Sequence, residues 1–234
     1  MMTADTPREI ATGASPPGAA VFRDAKTLTR SLKVLLWIMI ALDVVAAVST
    51  FLEIGLFVAL QEHLYASAAA AQADAAESDA RQRAIGMLQI IMFVITGIVF
   101  LCWIYRANHN ARQLGAAGMR FSPGWSIGWY FIPIANFWKP YQAMKEIWRA
   151  SADPAHWQDY PRGSILPWWW FCFLLANVTG TISFRLARAA KDIPMLITTD
   201  VAIIIANVAA IVLSLVAIAL VGQIYRMQMS HVRA

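Results

Sequence analysis

Two carboxylates stand where a carboxylate is costly. Asp43 and Glu53 both fall inside an apolar run that extends from Val34 to about Leu60. A charged group at the centre of a bilayer costs about 2.5–3.5 kcal/mol on insertion scales, so it turns towards the interior of a helix bundle and finds a partner there. Asp43 lies near the middle of the run and Glu53 towards its outer end. On a helix their separation amounts to about 80° of rotation and about 15 Å along the axis, which excludes a paired acid–base dyad. Two readings of Asp43 stand side by side: a proton or cation site, or a structural carboxylic acid hydrogen-bonded to another helix.

Further along, Asn177, Thr179, Thr181 and Ser183 make one apolar run unusually polar, and Asn207 does the same for the last. Ala176-x-x-x-Gly180 adds a small-residue spacing that suits close helix approach, so hydrogen bonds between helices are expected here, with a substrate path as the alternative. Arg185 closes the polar run; from depth alone it is expected to pair with Glu53, or else to snorkel to the interface.

The elements that must position these groups follow from composition. Of 234 residues, 59% are hydrophobic and 14% charged, against about 25% charged in an ordinary soluble domain. Too little charge is present to cover a soluble protein of this size, and too little for a disordered one. Windows of 22 uncharged residues lie between Arg83 and Arg106, between Arg162 and Arg185, and between Asp200 and Gln223. Each is long enough for a crossing at about 20 residues. With the first run, read as a retained helix and not a signal peptide, the expected spans are 34–60, 84–106, 165–186 and 198–224. Residues 61–84, rich in Ala, Gln, Glu and Arg, are expected to extend the first two helices as a hairpin. Residues 1–32 read as a disordered tail with a basic lead-in, 33–226 as the membrane domain, and 227–234 as a short tail.

The stretch between Arg120 and Lys139 has 18 uncharged residues, with Pro133 at its centre and Pro123, Gly124 and Gly128 before it. It suits a re-entrant or interfacial elbow better than a crossing. Without a crossing there, 14 Lys and Arg fall on the side of the termini and 5 on the other; with one, the split is 11 to 8. The positive-inside rule therefore selects four spans with both termini cytoplasmic. After the elbow, Phe137, Tyr141, Met144 and Trp148 form a helical apolar stripe, with Pro140 in the first turn. Lys139, Lys145 and Arg149 occupy the opposite face, as in a helix lying in the headgroup layer.

The block Arg106-x-x-Asn-x-Asn-Ala-Arg-x-Leu-Gly, then Ser122-Pro-Gly-Trp, Phe131-Ile-Pro-Ile-Ala-Asn-Phe-Trp-Lys-Pro140 and Glu146-Ile-Trp resembles a bacterial domain-of-unknown-function family of small polytopic membrane proteins. Trp168-Trp-Trp170 and Ser183-Phe-Arg-Leu186 are similar too, and the resemblance runs over about residues 34–225. It implies a multi-helix membrane fold and carries no catalytic residue or ligand with it.

The fold class expected is all-α: a four-helix integral membrane bundle with a proline-broken elbow and amphipathic helix over about 121–151. Trp125, Trp129, Pro133, Asn136, Trp138, Lys139, Pro140, Lys145, Trp148 and Arg149 are the candidate lipid-facing residues, as a pocket or as a rigid interfacial elbow. Asp43, Glu53, Asn177, Arg185 and Asn207 are the candidate polar residues within the membrane. Cys102 and Cys172 make no disulfide framework. His63, His109, His156 and His231 are expected in loops or the tail, which excludes a haem held at mid-span. No catalytic motif, metal or cofactor is expected. The composition fits a non-enzymatic accessory or lipid-associating module of the cytoplasmic membrane, partnered by membrane lipids and by other membrane subunits or itself, and not by nucleic acid. A small transporter or channel using Asp43 is the alternative, and a membrane enzyme acting on lipid a second one.

Overall fold

The computed structural model describes residues 22–233; the expected tail over 1–20 lies outside them. Six α-helices follow in order: α1 (Lys26–Gln61), α2 (Ala68–Gln113), α3 (Pro123–Gly128), α4 (Lys139–Ala152), α5 (Ile165–Ala189) and α6 (Ile193–Arg233). Between α3 and α4 run two single 3₁₀ turns, Trp129–Phe131 and Ala135–Phe137. There is no strand among the described residues. The all-α expectation holds, and α1, α2, α5 and α6 are each long and apolar enough to cross a membrane.

α1 and α2 have 36 and 46 residues, or about 54 and 69 Å at helical rise, against about 30 Å of hydrocarbon. They therefore project beyond the bilayer as a hairpin. Its turn places His63 at φ 55°, and Ser67 caps α2 by accepting the Ala70 amide at 3.2 Å. The Tyr65 hydroxyl donates to Asp74 at 3.0 Å across the same turn.

α6 packs between α1 and α5, and α1 between α6 and α2. The α1–α2 seam is a heptad. Thr29, Leu32, Leu36, Asp43, Ala46, Thr50 and Glu53 are buried on α1 at steps of three and four residues, with one step of seven from Leu36 to Asp43, which keeps the spacing of antiparallel and parallel coiled-coil seams alike. Each step of seven along α1 is matched by a step of seven back along α2. The Trp103 indole donates to Thr29 at 3.0 Å, Gln89 to Asp43 at 2.9 Å and Gln82 to Thr50 at 3.5 Å. The remaining step sets Leu36 against Thr96, whose buried hydroxyl has no partner.

The tight core lies at one end of the bundle, where Leu32, Trp103, Ile104, Met144, Ile147, Leu166, Trp169, Leu220, Val221 and Ile224 pack together. Around the middle, Val44, Val48, Phe51, Phe93, Phe171, Val208 and others are exposed. Such a belt on four long helices is the surface that lipid covers.

α4 differs from its expectation. It does not lie free on a surface: no residue from Pro140 to Ala152 is fully exposed. Its buried face runs through Ala143, Met144, Ile147, Trp148, Ala150 and Ser151, rotated from the expected stripe, and Phe137 is left exposed. The small residues let α4 press against α6 and α2. α6 also continues through residues 227–233, expected as a tail. There Gln228 is buried and donates to Ala107 O at 2.8 Å and Ser151 Oγ at 2.9 Å. His109 and His231, expected in loops or the tail, lie within α2 and α6.

Candidate functional site

The elbow is built by short-range signals. Ser122 accepts the Trp125 amide at 3.3 Å and Pro123 occupies the first turn of α3, where its missing N–H leaves nothing unpaired. Pro140 plays the same part in α4. Between them the chain turns back on itself. The Lys139 ammonium lies 5.7 Å from the Phe121 ring and 5.4 Å from the Trp129 ring, so the two ends of the elbow meet and the segment enters and leaves on one side. Tyr130 sets its depth. Its ring lies 6.4 Å from Phe100 on α2 and 6.2 Å from Phe173 on α5, edge-on to both. Phe100 is six residues inside Arg106, about 9 Å of helix, so the elbow reaches into the gap between α2 and α5.

Its tip is apolar and open. Phe131, Ile134 and Phe137 are 72%, 73% and 62% exposed, and Pro133 and Trp138 are exposed beside them. Asn136 is half-buried with an unpaired Oδ1. At the mouth, Arg120, Phe121, Trp125, Trp129 and Lys139 line a cleft of about 180 Å³. Trp125 and Trp129 lie against each other with centroids 4.9 Å apart and ring planes tilted by 35°.

The floor of this mouth is a buried hydrogen-bond network. Asn108 donates to Phe121 O at 2.9 Å and Ser126 Oγ at 2.8 Å. Arg112 donates to Asn108 Oδ1 and to the carbonyls of Met119 and Phe121. Glu146 Oε2 accepts the amides of Arg120 at 3.0 Å and Phe121 at 3.2 Å. Burial pushes the Glu146 carboxyl above its ordinary value, opposed by those two amides and by the charges of Arg120 and Arg112.

The remaining elbow candidates divide. Trp125, Trp129 and Lys139 share the cleft. Trp148 instead packs on Tyr160, 5.9 Å between centroids, and against Gly163, where any Cβ would overlap its indole. Lys145 is half-buried on α4, and Arg149 donates to Gln158 O at 3.4 Å. Arg120 and Phe121 were not singled out from the sequence. Their signal was position: they precede the Ser122 cap and so mark the entrance opposite Lys139.

Within the membrane, Asp43 and Asn207 do come together, joined by Gln89, whose Nε2 donates to Asp43 Oδ1 at 2.9 Å and Asn207 Oδ1 at 3.2 Å. Gln89 was missed; its position in heptad register with Gln82 and Thr96 was the available signal. Glu53 accepts from Ser78 Oγ at 3.1 Å and from Gln82 Nε2. It does not pair with Arg185, which is exposed on α5; Arg81, on the adjoining helix, donates to Ser49 and Ser78 instead. Asn177 also departs from expectation. It is exposed and donates to Phe173 O of its own helix at 2.7 Å. Thr179, Thr181 and Ser183 bond carbonyls of α5 likewise. Short polar side chains satisfy themselves against the preceding turn, so the polar character of α5 does not signal a bundle interior.

No curated protein and no solved structure matches the chain. A family model matches residues 66–226, which takes in α2, the elbow, α4, α5 and most of α6 and leaves out α1 with Asp43 and Glu53. By that match this multi-pass membrane chain belongs to the family described as a domain of unknown function, DUF4328.

Proposed function

We propose that this protein is a non-enzymatic, lipid-associating module of the cytoplasmic membrane, with both termini in the cytoplasm, working beside other membrane subunits or a second copy of itself. The re-entrant elbow carries the proposal. A segment that dips between two crossing helices and leaves Phe131, Ile134 and Phe137 uncovered has acyl chains as its natural neighbours, because at that depth nothing else but protein surrounds it. Charge supports the orientation. Asp24 accepts from the Tyr225 hydroxyl at 3.4 Å, and Asn110, near the end of α2 that leads into the elbow, donates to Arg23 O at 2.9 Å, so the start of α1 and the end of α6 share a face with the elbow. Of the basic residues described, thirteen lie at that face and five at the other, the bias of a cytoplasmic side.

Native mass spectrometry of the gently purified chain tests the association. Phospholipid is expected on the wild type and diminished when Phe131, Ile134 and Phe137 are all replaced by Ser; a lipid-free wild type overturns the proposal. A reporter fused after Arg162 tests orientation, and a signal from outside the cytoplasm defeats it.

A second reading, a small transporter or channel, draws on one observation. At the α1–α2–α6 junction, Asp43 Oδ2 and Asn207 Nδ2 are buried without partners, as is Asp200 Oδ2 nearer the α5–α6 turn. Intramembrane carboxylates mark ion or proton paths. Asp43→Asn is then expected to abolish a proton or cation flux in proteoliposomes while leaving assembly intact; intact flux removes this reading.

A further inference from the structure

We infer that the cleft at the mouth of the elbow holds the phosphate of an anionic phospholipid between Arg120 and Lys139, with the acyl chains running along Phe131, Ile134 and Phe137. The inference rests on the lipid-associating reading above and names the headgroup it selects.

Charge accounting comes first. The cleft is lined by Arg120, Phe121, Trp125, Trp129 and Lys139. Among the described residues the only ion pair is His156 with Asp153, so neither cation of the cleft has a carboxylate within bonding range. The nearest charged groups are spent on structure. Arg112 is turned onto Asn108 Oδ1 and two carbonyls, and Glu146 Oε2 is held by the amides of Arg120 and Phe121. Lys139 has only ring faces, 5.4 and 5.7 Å away. Those rings attract a cation weakly and fix its position without neutralising it. Two positive charges, that of Arg120 partly offset by the Glu146 carboxyl and that of Lys139 with no ion-pair partner, in an aromatic-walled recess select an anion.

Hydrogen-bonding capacity points the same way. Arg offers a planar fork matched to phosphate and Lys a compact point charge.

Position identifies the anion as part of a lipid. Arg120 stands at the entrance of the re-entrant segment and Lys139 at its exit, with Tyr130 beside Phe100 and Phe173 below them. The two cations therefore lie at the headgroup level, directly above an apolar tip. A free phosphate would use the cations and leave that tip uncovered; a phospholipid covers both.

The test uses the full chain in mild detergent, titrated with phosphatidylglycerol or phosphatidylcholine and read by native mass spectrometry. Wild type is expected to prefer phosphatidylglycerol. Arg120→Gln with Lys139→Gln should weaken that lipid by about 30-fold, from about fivefold for each cation near a membrane surface, and leave phosphatidylcholine unchanged. Lys139→Arg should retain the preference, which separates loss of charge from loss of fold. Arg226→Gln, a charge on the same face away from the cleft, should also retain it. Equal retention of both lipids by wild type, or a preference that survives the double substitution, overturns the headgroup assignment while leaving lipid association standing. Absence of any lipid defeats both. Displacement of phosphatidylglycerol by millimolar inorganic phosphate would reassign the cleft to a soluble phosphate and overturn the lipid source.

Discussion

Gln89 on α2 and Asp43 on α1 are joined by a 2.9 Å hydrogen bond deep in the bundle, and the same amide nitrogen reaches Asn207 on α6 at 3.2 Å. One side chain thus ties three crossing helices together. The bond is one rung of the heptad seam that runs from Trp103 and Thr29 to Gln82 and Thr50, so it fixes register as well as proximity. In hydrocarbon a slipped register leaves each rung unsatisfied, which makes these few bonds a strong selector of one alignment.

Gln89→Leu and Asn207→Leu are each expected to destabilise the purified protein by about 1 kcal/mol, the scale of interhelical hydrogen bonds in membranes. Coupling between Gln89→Leu and Asp43→Leu should be of similar size in a double-mutant cycle. Asn177→Leu should change stability little, because its bond is within α5. A loss from Asn177→Leu equal to that from Gln89→Leu would contradict the seam.

Thr96 is the weak rung. Its hydroxyl is buried without a partner, opposite Leu36 by register. Thr96→Val keeps the shape and removes the unpaired group, so thermal midpoint should rise, by about 1 kcal/mol in stability. Thr96→Ser, which keeps the hydroxyl, should not rise. A drop in midpoint for the valine variant would show that the hydroxyl has a partner in the membrane.

Gly163 is required by its neighbour. A Cβ there would overlap the indole of the buried Trp148, which is pinned between Tyr160 and the bundle. Gly163→Ala should cost about 1–3 kcal/mol as overpacking. Adding Trp148→Phe should recover part of that loss, and thermal unfolding of the pair measures it.

Glu146 couples the elbow to pH. Its carboxyl is raised above the ordinary 4.5 by burial, so the folded protein binds this proton more tightly than the unfolded chain does. The stability so contributed is present below 4.5 and is lost as pH rises through the folded value. Glu146→Gln should flatten that part of the pH–stability curve and keep an acceptor for the Arg120 and Phe121 amides. Glu146→Leu should lose about 1–3 kcal/mol at every pH, because both amides become unpaired. Equal pH profiles for wild type and Glu146→Gln would remove Glu146 as the source.

From the sequence alone, what could be determined was whatever depends on local content. Three uncharged windows and one apolar run interrupted by Asp43 and Glu53 set the crossing helices, Ser122-Pro123 and Pro140 set where α3 and α4 begin, and the charge distribution argued that Phe121 to Pro140 turns back. Transfer free energy is nearly additive along a chain, so a window of residues suffices for such inferences. Tertiary structure decided which polar groups meet. Asn177 and Arg185 look inward by composition but face outward on α5, and Gln89 became the central partner of Asp43. A side chain's partner depends on helix rotation and register, which are fixed by packing between segments far apart in sequence. The cleft has the same origin: Arg120 and Lys139 are neighbours only because Tyr130 wedges between Phe100 and Phe173 and folds the elbow back on itself.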